Sequence, residues 1–256
     1  MQADYKEQSK KVAAYYNQWQ PGYNEVYGDT IQAFRPAETG ELMEYLAASI
    51  APAPGMKVLD AGCGVAGPAI WLAENCGVQV EGITISEVQL AQGKEAVAKK
   101  GLNHKVNIRL GDYHELDTQF DNGSFDLVLF LESLGHSGDI ERAIAGAFNV
   151  LKQGGSIYIK DFYYKQPADA YWRNRVEKTI ANINRLYSYN TLNLNDTLTA
   201  LRSAGFEIDF VRKFSFKDNV SIRFEFEKKF GIDIFGGEPE FAPAEWLEIK
   251  CIKPGV

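Results

Sequence analysis

Apolar runs and helical patterns alternate through the middle of the chain. Lys57 to Ala61 is a β-rich run that leads through glycines into a helical pattern at about Pro68 to Asn75. The alternation continues with strands at Val78 to Ile85, Val106 to Leu110, Phe125 to Leu131 and Ser156 to Phe162, and helices at Glu87 to Lys100 and Asp139 to Leu151. Strands separated by helical patterns need crossover connections, so this order predicts a doubly wound α/β fold, its mostly parallel sheet covered on both faces. A helix at Asp196 to Ala204 and strands at Glu207 to Lys213 and Trp246 to Ile252 follow. Three stretches break the rhythm. Residues 1 to 50 read as helical and rich in aromatics, with Pro21-Gly22 predicting a break between two segments. Lys165 to Asn195 is polar, aromatic and Asn-rich, and Phe214 to Pro243 is irregular. Both lie after the carboxyl ends of strands, the edge where open α/β sheets take ligands. The expected division is a helical cover at 1–50 and a domain at 51–256 with cover insertions at about 165–195 and 214–243.

Composition narrows the function. Apolar residues at 45% and charged residues at 24% are ordinary for a globular protein, so disordered and fibrous classes drop out. A formal charge of −7 argues against nucleic acid or anionic lipid as partner, because such binding rests on clustered Lys and Arg. Cys63, Cys76 and Cys251 are odd in number and lack metal-ligand spacing, as expected of reduced thiols and of no resident metal. Met1 to Tyr16 is not a basic segment followed by an apolar run, and nothing approaches ~20 apolar residues. A cytoplasmic protein is expected.

The first βα turn carries the chemistry. In Val58-Leu59-Asp60-Ala61-Gly62-Cys63-Gly64-Val65-Ala66-Gly67, three glycines stand where a strand gives way to a helix, letting the backbone approach a ligand closely. The glycines alone also suit a dinucleotide. Asp60 argues otherwise, since a carboxylate there would repel a pyrophosphate at the helix N-terminus, whereas the cationic amino group of S-adenosylmethionine suits it. Thr84 stands where many nucleotide folds carry the ribose-binding carboxylate, which weakens a dehydrogenase further. Ribose contacts then fall to Thr84, Ser86 or Gln89, and Asp112 with Tyr113 is placed for the adenine. An NAD-dependent oxidoreductase and a protein that binds S-adenosylmethionine without turnover are the rival classes.

The run Val58 to Ala69, with Gly82-Ile83-Thr84-Ile85-Ser86, Gly111-Asp112 and Leu151-Lys152-Gln153-Gly154-Gly155, resembles class I S-adenosylmethionine-dependent methyltransferases over roughly residues 56 to 165. The resemblance implies a seven-stranded Rossmann-like methyltransferase fold and a donor-binding set of Asp60, Gly62, Gly64, Thr84, Ile85, Gln89, Asp112, Tyr113 and Leu131. Within the class the chain is similar to the branch of sterol, tocopherol and prenyl diphosphate C-methyltransferases and of small-molecule sugar O-methyltransferases. Glu132-Ser133, Ile183 to Tyr187 and Asn190 to Asn193 resemble geranyl diphosphate C-methyltransferases, which implies Glu132 as base. Leu131 and Leu134-Gly135-His136 depart from that pattern. Glu132 to His136 with Lys160-Asp161-Phe162 also resembles a sugar O-methyltransferase, which implies His136 as base with Asp161 as partner.

Two chemistries follow. An alkene acceptor leaves a carbocation for Tyr16, Trp19, Tyr23 or Tyr187 to stabilise before Glu132 removes a proton. A hydroxyl or amine acceptor gives its proton to His136, polarised by Asp161 or Glu132. C-methylation of an apolar or isoprenoid small molecule is placed ahead. Tyr16, Trp19, Tyr23, Tyr27, Asn184, Tyr187 and Asn193 are the expected acceptor contacts, and Mg2+ is expected only if the acceptor is a diphosphate. Assembly into a homo-oligomer stays open.

Overall fold

The computed structural model describes residues 5–36, 38–214, 219–220, 222–234 and 241–255. The chain opens with α1 (Tyr5–Tyr27), a two-residue strand β1 (Arg35–Pro36) and α2 (Thr39–Ile50). The wound core follows as β2 (Lys57–Ala61), α3 (Gly67–Cys76), β3 (Gln79–Thr84), α4 (Glu87–Lys99), β4 (Val106–Leu110), α5 (Leu116–Gln119), β5 (Phe125–Leu131), α6 (Ile140–Val150) and β6 (Leu151–Tyr164). Then come α7 (Ala170–Tyr187), α8 (Leu194–Ala204), β7 (Glu207–Lys213), a two-residue β8 (Asn219–Val220), α9 (Ile222–Phe230) and β9 (Ala244–Ile252).

Seven strands form one sheet in the order β4-β3-β2-β5-β6-β9-β7. β2 to β6 run parallel, and β9 lies antiparallel between β6 and β7. Because both faces are covered, Val58, Leu59 and Ala61 of β2 and the run Leu127 to Leu131 of β5 are all buried. The order reverses between β2 and β5, so a crevice opens at their carboxyl ends, the place where such folds bind ligands.

Two sequence expectations fail for physical reasons. Pro21 does not break α1, which runs through it. Packing outweighs the ~3 kcal/mol propensity penalty of an interior proline: Gln20, Gly22 and Tyr23 are buried, and a Cβ at Gly22 would stand 2.8 Å from the Phe230 ring of α9. The supposedly irregular stretch 165–195 contains α7, 18 residues long. Its polar composition hid a helical spacing, for Val176, Thr179, Ile180, Ile183 and Tyr187 are buried along one face. The second irregular stretch likewise holds α9, while its residues 215–218, 221 and 235–240 lie outside the described residues. α1, α7 and α9 meet in an aromatic cluster built from Tyr15, Tyr23, Tyr27, Ile180, Ile183 and Phe226, above the carboxyl edge of the sheet.

Candidate active site

At the end of β2 the chain turns through Gly62 at φ 95° and Gly64 at φ 54°, conformations that side chains rarely adopt. A Cβ at Gly62 would also stand 2.5 Å from that of Ser133. This turn floors a cavity that opens to solvent. Its walls bring together all nine donor-binding residues expected from the sequence: Asp60 of β2 with Gly62 and Gly64 after it, Thr84 of β3 with Ile85 after it, Gln89 of α4, Asp112 and Tyr113 after β4, and Leu131 of β5.

The polar groups on these walls differ in what they have left to offer. Asp60 is buried, its Oδ2 has no partner, and burial pushes its carboxyl up to about 7. Thr84 donates to Gln89 Oε1 at 2.7 Å and Gln89 Nε2 donates to Gln20 of α1 at 2.8 Å, which ties this wall of the cavity to α1. Ser86 caps α4, donates to Asn17 at 2.7 Å and does not line the cavity. Asp112 accepts from Ser9 at 2.6 Å and from the ring of His114 at 2.6 Å. Burial alone would raise its carboxyl, but the hydrogen bonds from His114 and Ser9 win and hold it below the usual range. A glycine cradle, an unpartnered buried carboxylate oxygen and no carboxylate at Thr84 fit S-adenosylmethionine.

A second cavity opens beside the first. Tyr16, Tyr23, Tyr27, Phe162, Tyr187, Tyr189 and Trp246 wall it, with Ile31, Ala33 and Ile183; Glu132, His136 and Arg223 are the charged or basic groups on it. The two cavities share Tyr16, Ile31, Glu132 and His136. Three expected acceptor contacts are elsewhere. Trp19 packs behind the wall against Phe226 and Phe230. Asn184 accepts from the backbone and hydroxyl of Thr191 at 2.9 and 2.7 Å, and Asn193 caps α8 while donating to Tyr164 at 2.7 Å. Both asparagines serve chain geometry.

At the junction, His136 sits on a short 3-10 turn, Leu134–His136, and is buried. Burial lowers its pKa to about 4, so the ring is neutral. Its Nδ1 faces the Ser188 carbonyl at 3.1 Å, and a carbonyl only accepts, so Nδ1 carries the proton. Nε2 therefore accepts from the Tyr16 hydroxyl at 2.8 Å. The expected partner Asp161 does not touch this ring: its Oδ1 accepts from Tyr189 at 2.5 Å and its Oδ2 from the Gly135 N–H at 3.0 Å, and burial raises it to about 7. It positions the turn, and Ser188 orients the histidine. Glu132, at φ 56°, pairs with the fully buried Lys160 and accepts from the Ala33 N–H at 2.6 Å. Burial lowers the Lys160 pKa, and Glu132 opposes that shift.

Neither Ser188 nor Gln32, which lines the first cavity, stands in a recognisable sequence motif. Lys160 entered only through the Lys160-Asp161-Phe162 resemblance, without its pairing to Glu132.

The fold and the donor cavity together are those of the class I S-adenosylmethionine-dependent methyltransferases. A family model described as "Methyltransferase domain" matches residues 52–204, and the chain belongs to that family. Over 167 residues, 64% of the chain and 43% of the relative, it is 31% identical to the sterol 24-C-methyltransferase of Aspergillus fumigatus. The chain thus spans less than half the length of that relative. Among solved structures it is similar to the 4+2 cyclase SpnF, with a TM-score of 0.79 and 22% identity over 97% of both chains. It is similar too to geranyl diphosphate C-methyltransferase from Streptomyces coelicolor A3(2), with a TM-score of 0.76 and 19% identity over 96% of this chain and 98% of that one. At these identities the two structures speak for the fold alone.

Proposed function

We propose that the protein transfers a methyl group from S-adenosylmethionine to a small, largely apolar acceptor of isoprenoid kind, with carbon ahead of oxygen or nitrogen as the atom attacked. The observation that carries the reading is the meeting of the donor cavity with an aromatic-walled one at Tyr16, Ile31, Glu132 and His136. When bound, S-adenosylmethionine supplies an electrophilic methyl group on a good leaving group. The chain's task is to align the acceptor and exclude water, effects worth up to about 7–11 kcal/mol for well-oriented reactants. Tyr16, Tyr23, Tyr27 and Tyr187 line this cavity, where aromatic rings stabilise a cation formed on the acceptor carbon. Glu132 is the carboxylate on that wall placed to accept the proton then lost. His136 is a weak base near neutral pH and its Nε2 is already engaged by Tyr16, which supports carbon over a heteroatom. The sterol 24-C-methyltransferase relative is by name a carbon methyltransferase and lends the same support.

One observation favours the heteroatom reading. An acceptor hydroxyl that displaced Tyr16 would meet the free lone pair of a histidine already oriented by Ser188. Among the described residues no group of three or more His, Cys, Asp or Glu could hold the Mg2+ expected for a diphosphate acceptor.

His136→Ala separates the readings when turnover is followed with methyl-labelled donor and the product is mapped. The carbon reading predicts turnover within about tenfold of the parent protein and the label on carbon. A loss of about 10²–10⁴-fold, the worth of a general base, with the label on oxygen or nitrogen, would reverse the order. Glu132→Gln cannot discriminate. It strips the buried Lys160 of its counter-charge in either case and should cost about 3–5 kcal/mol of stability in a denaturant titration.

A further inference from the structure

Two buried polar atoms of opposite character are left over on the wall of the donor cavity. One is Asp60 Oδ2, an acceptor, and the other is Gln32 Nε2, a donor. Gln32 is 1% exposed, so its amide lies away from bulk solvent. The orientation of that amide is forced. Lys160 Nζ donates to Gln32 Oε1 at 2.8 Å, and an ammonium has no lone pair, so a flipped amide would set N–H against N–H. The same Nζ donates to the Phe34 carbonyl at 3.0 Å, and Glu132 accepts from Ala33 next door. The segment 32–34 is thereby pinned to β5 and β6, with the Gln32 NH2 group turned away from Lys160.

Resting on the S-adenosylmethionine reading, we propose that Gln32 binds the carboxylate of the donor's amino-acid end. Other acceptors on such a ligand are ribose oxygens and adenine nitrogens, and the strand order separates them from Gln32. Thr84 and Gln89 mark the ribose side at β3, and Asp112 and Tyr113 mark the adenine side at β4. Gln32 is held by β5 and β6, on the opposite side of β2. Asp60, at the end of β2, stands between the two sides. A free acceptor and a free donor there match the amino and carboxylate groups of one amino acid. Lys160 directly behind the Gln32 carbonyl polarises the amide and favours an anion on its NH2 face.

Calorimetry with two ligands tests the assignment: S-adenosylhomocysteine, which carries the amino-acid end, and methylthioadenosine, which lacks it. Gln32→Ala should weaken S-adenosylhomocysteine about 10–100-fold, as expected for a lost hydrogen bond to a charged group, and leave methylthioadenosine within about twofold. Gln32→Glu should weaken S-adenosylhomocysteine more than Gln32→Ala does, through like-charge repulsion, again sparing methylthioadenosine. Equal losses for both ligands, or no loss for S-adenosylhomocysteine, would overturn the role of Gln32. If the unsubstituted protein binds neither ligand, the donor reading itself fails and the Gln32 assignment fails with it.

Discussion

With Asp60 at the donor's amino group, as proposed, donor binding should depend on pH. Its carboxyl titrates at about 7 in the protein without ligand because burial penalises the charged form. A cationic amino group beside it favours the carboxylate, so its pKa falls on binding and the protonated protein must release a proton. Affinity for S-adenosylhomocysteine should therefore drop as pH falls through 7, by about tenfold between pH 8 and pH 6, and calorimetry in buffers of different ionisation heat should register proton release. His136, near 4, stays neutral over that window; Asp161, near 7, titrates but is sequestered by Tyr189 and Gly135. Asp60→Asn should flatten the profile, and a slope that survives in that variant would place the titrating group elsewhere. Single residues were legible where their meaning is local, as with Asp60 and the glycines of one turn. The partners of His136 and Lys160 were not, since Ser188 lies 52 positions from His136 and Gln32 lies 128 from Lys160. Only the folded sheet brings them together.

Elements were legible where apolar spacing is strong and hidden where polar residues dilute it. The alternation from Lys57 to Phe162 gave the parallel strands in their order, while α7 was masked by its asparagines and arginines and the unbroken α1 by a proline that packing tolerates. α1 is also the element that links cover to donor site. Asn17, Gln20 and Asn24 bond to Ser86, Gln89 and Gln92 along α4, at 2.7, 2.8 and 3.0 Å. Gln89 in turn lines the donor cavity, so a ligand there should steady the helix lying over it. Hydrogen exchange should show the amides of α1 protected severalfold on addition of S-adenosylhomocysteine, with β6 unchanged. Equal exchange in α1 with and without the ligand would make the cover a fixed wall.

For the whole molecule, the order β4-β3-β2-β5-β6-β9-β7 places the crevice at the carboxyl ends of β2 and β5, and the cover closes it with aromatic side chains. Fold and donor were readable because the sheet is wound from short consecutive units with their own sequence signals. The aromatic-walled cavity was less so, because it is gathered from α1, α7, β6 and β9, and Trp19, Asn184 and Asn193, expected there, do not line it. The proposed methyl transfer to an apolar acceptor is tested by following the label from methyl-labelled S-adenosylmethionine into a panel of prenyl compounds, sterols, phenols and sugars. One S-adenosylhomocysteine formed per methyl incorporated, with incorporation confined to the apolar members, is the predicted result. Saturable NAD binding without S-adenosylhomocysteine formation, or label carried only by the sugars, would contradict it.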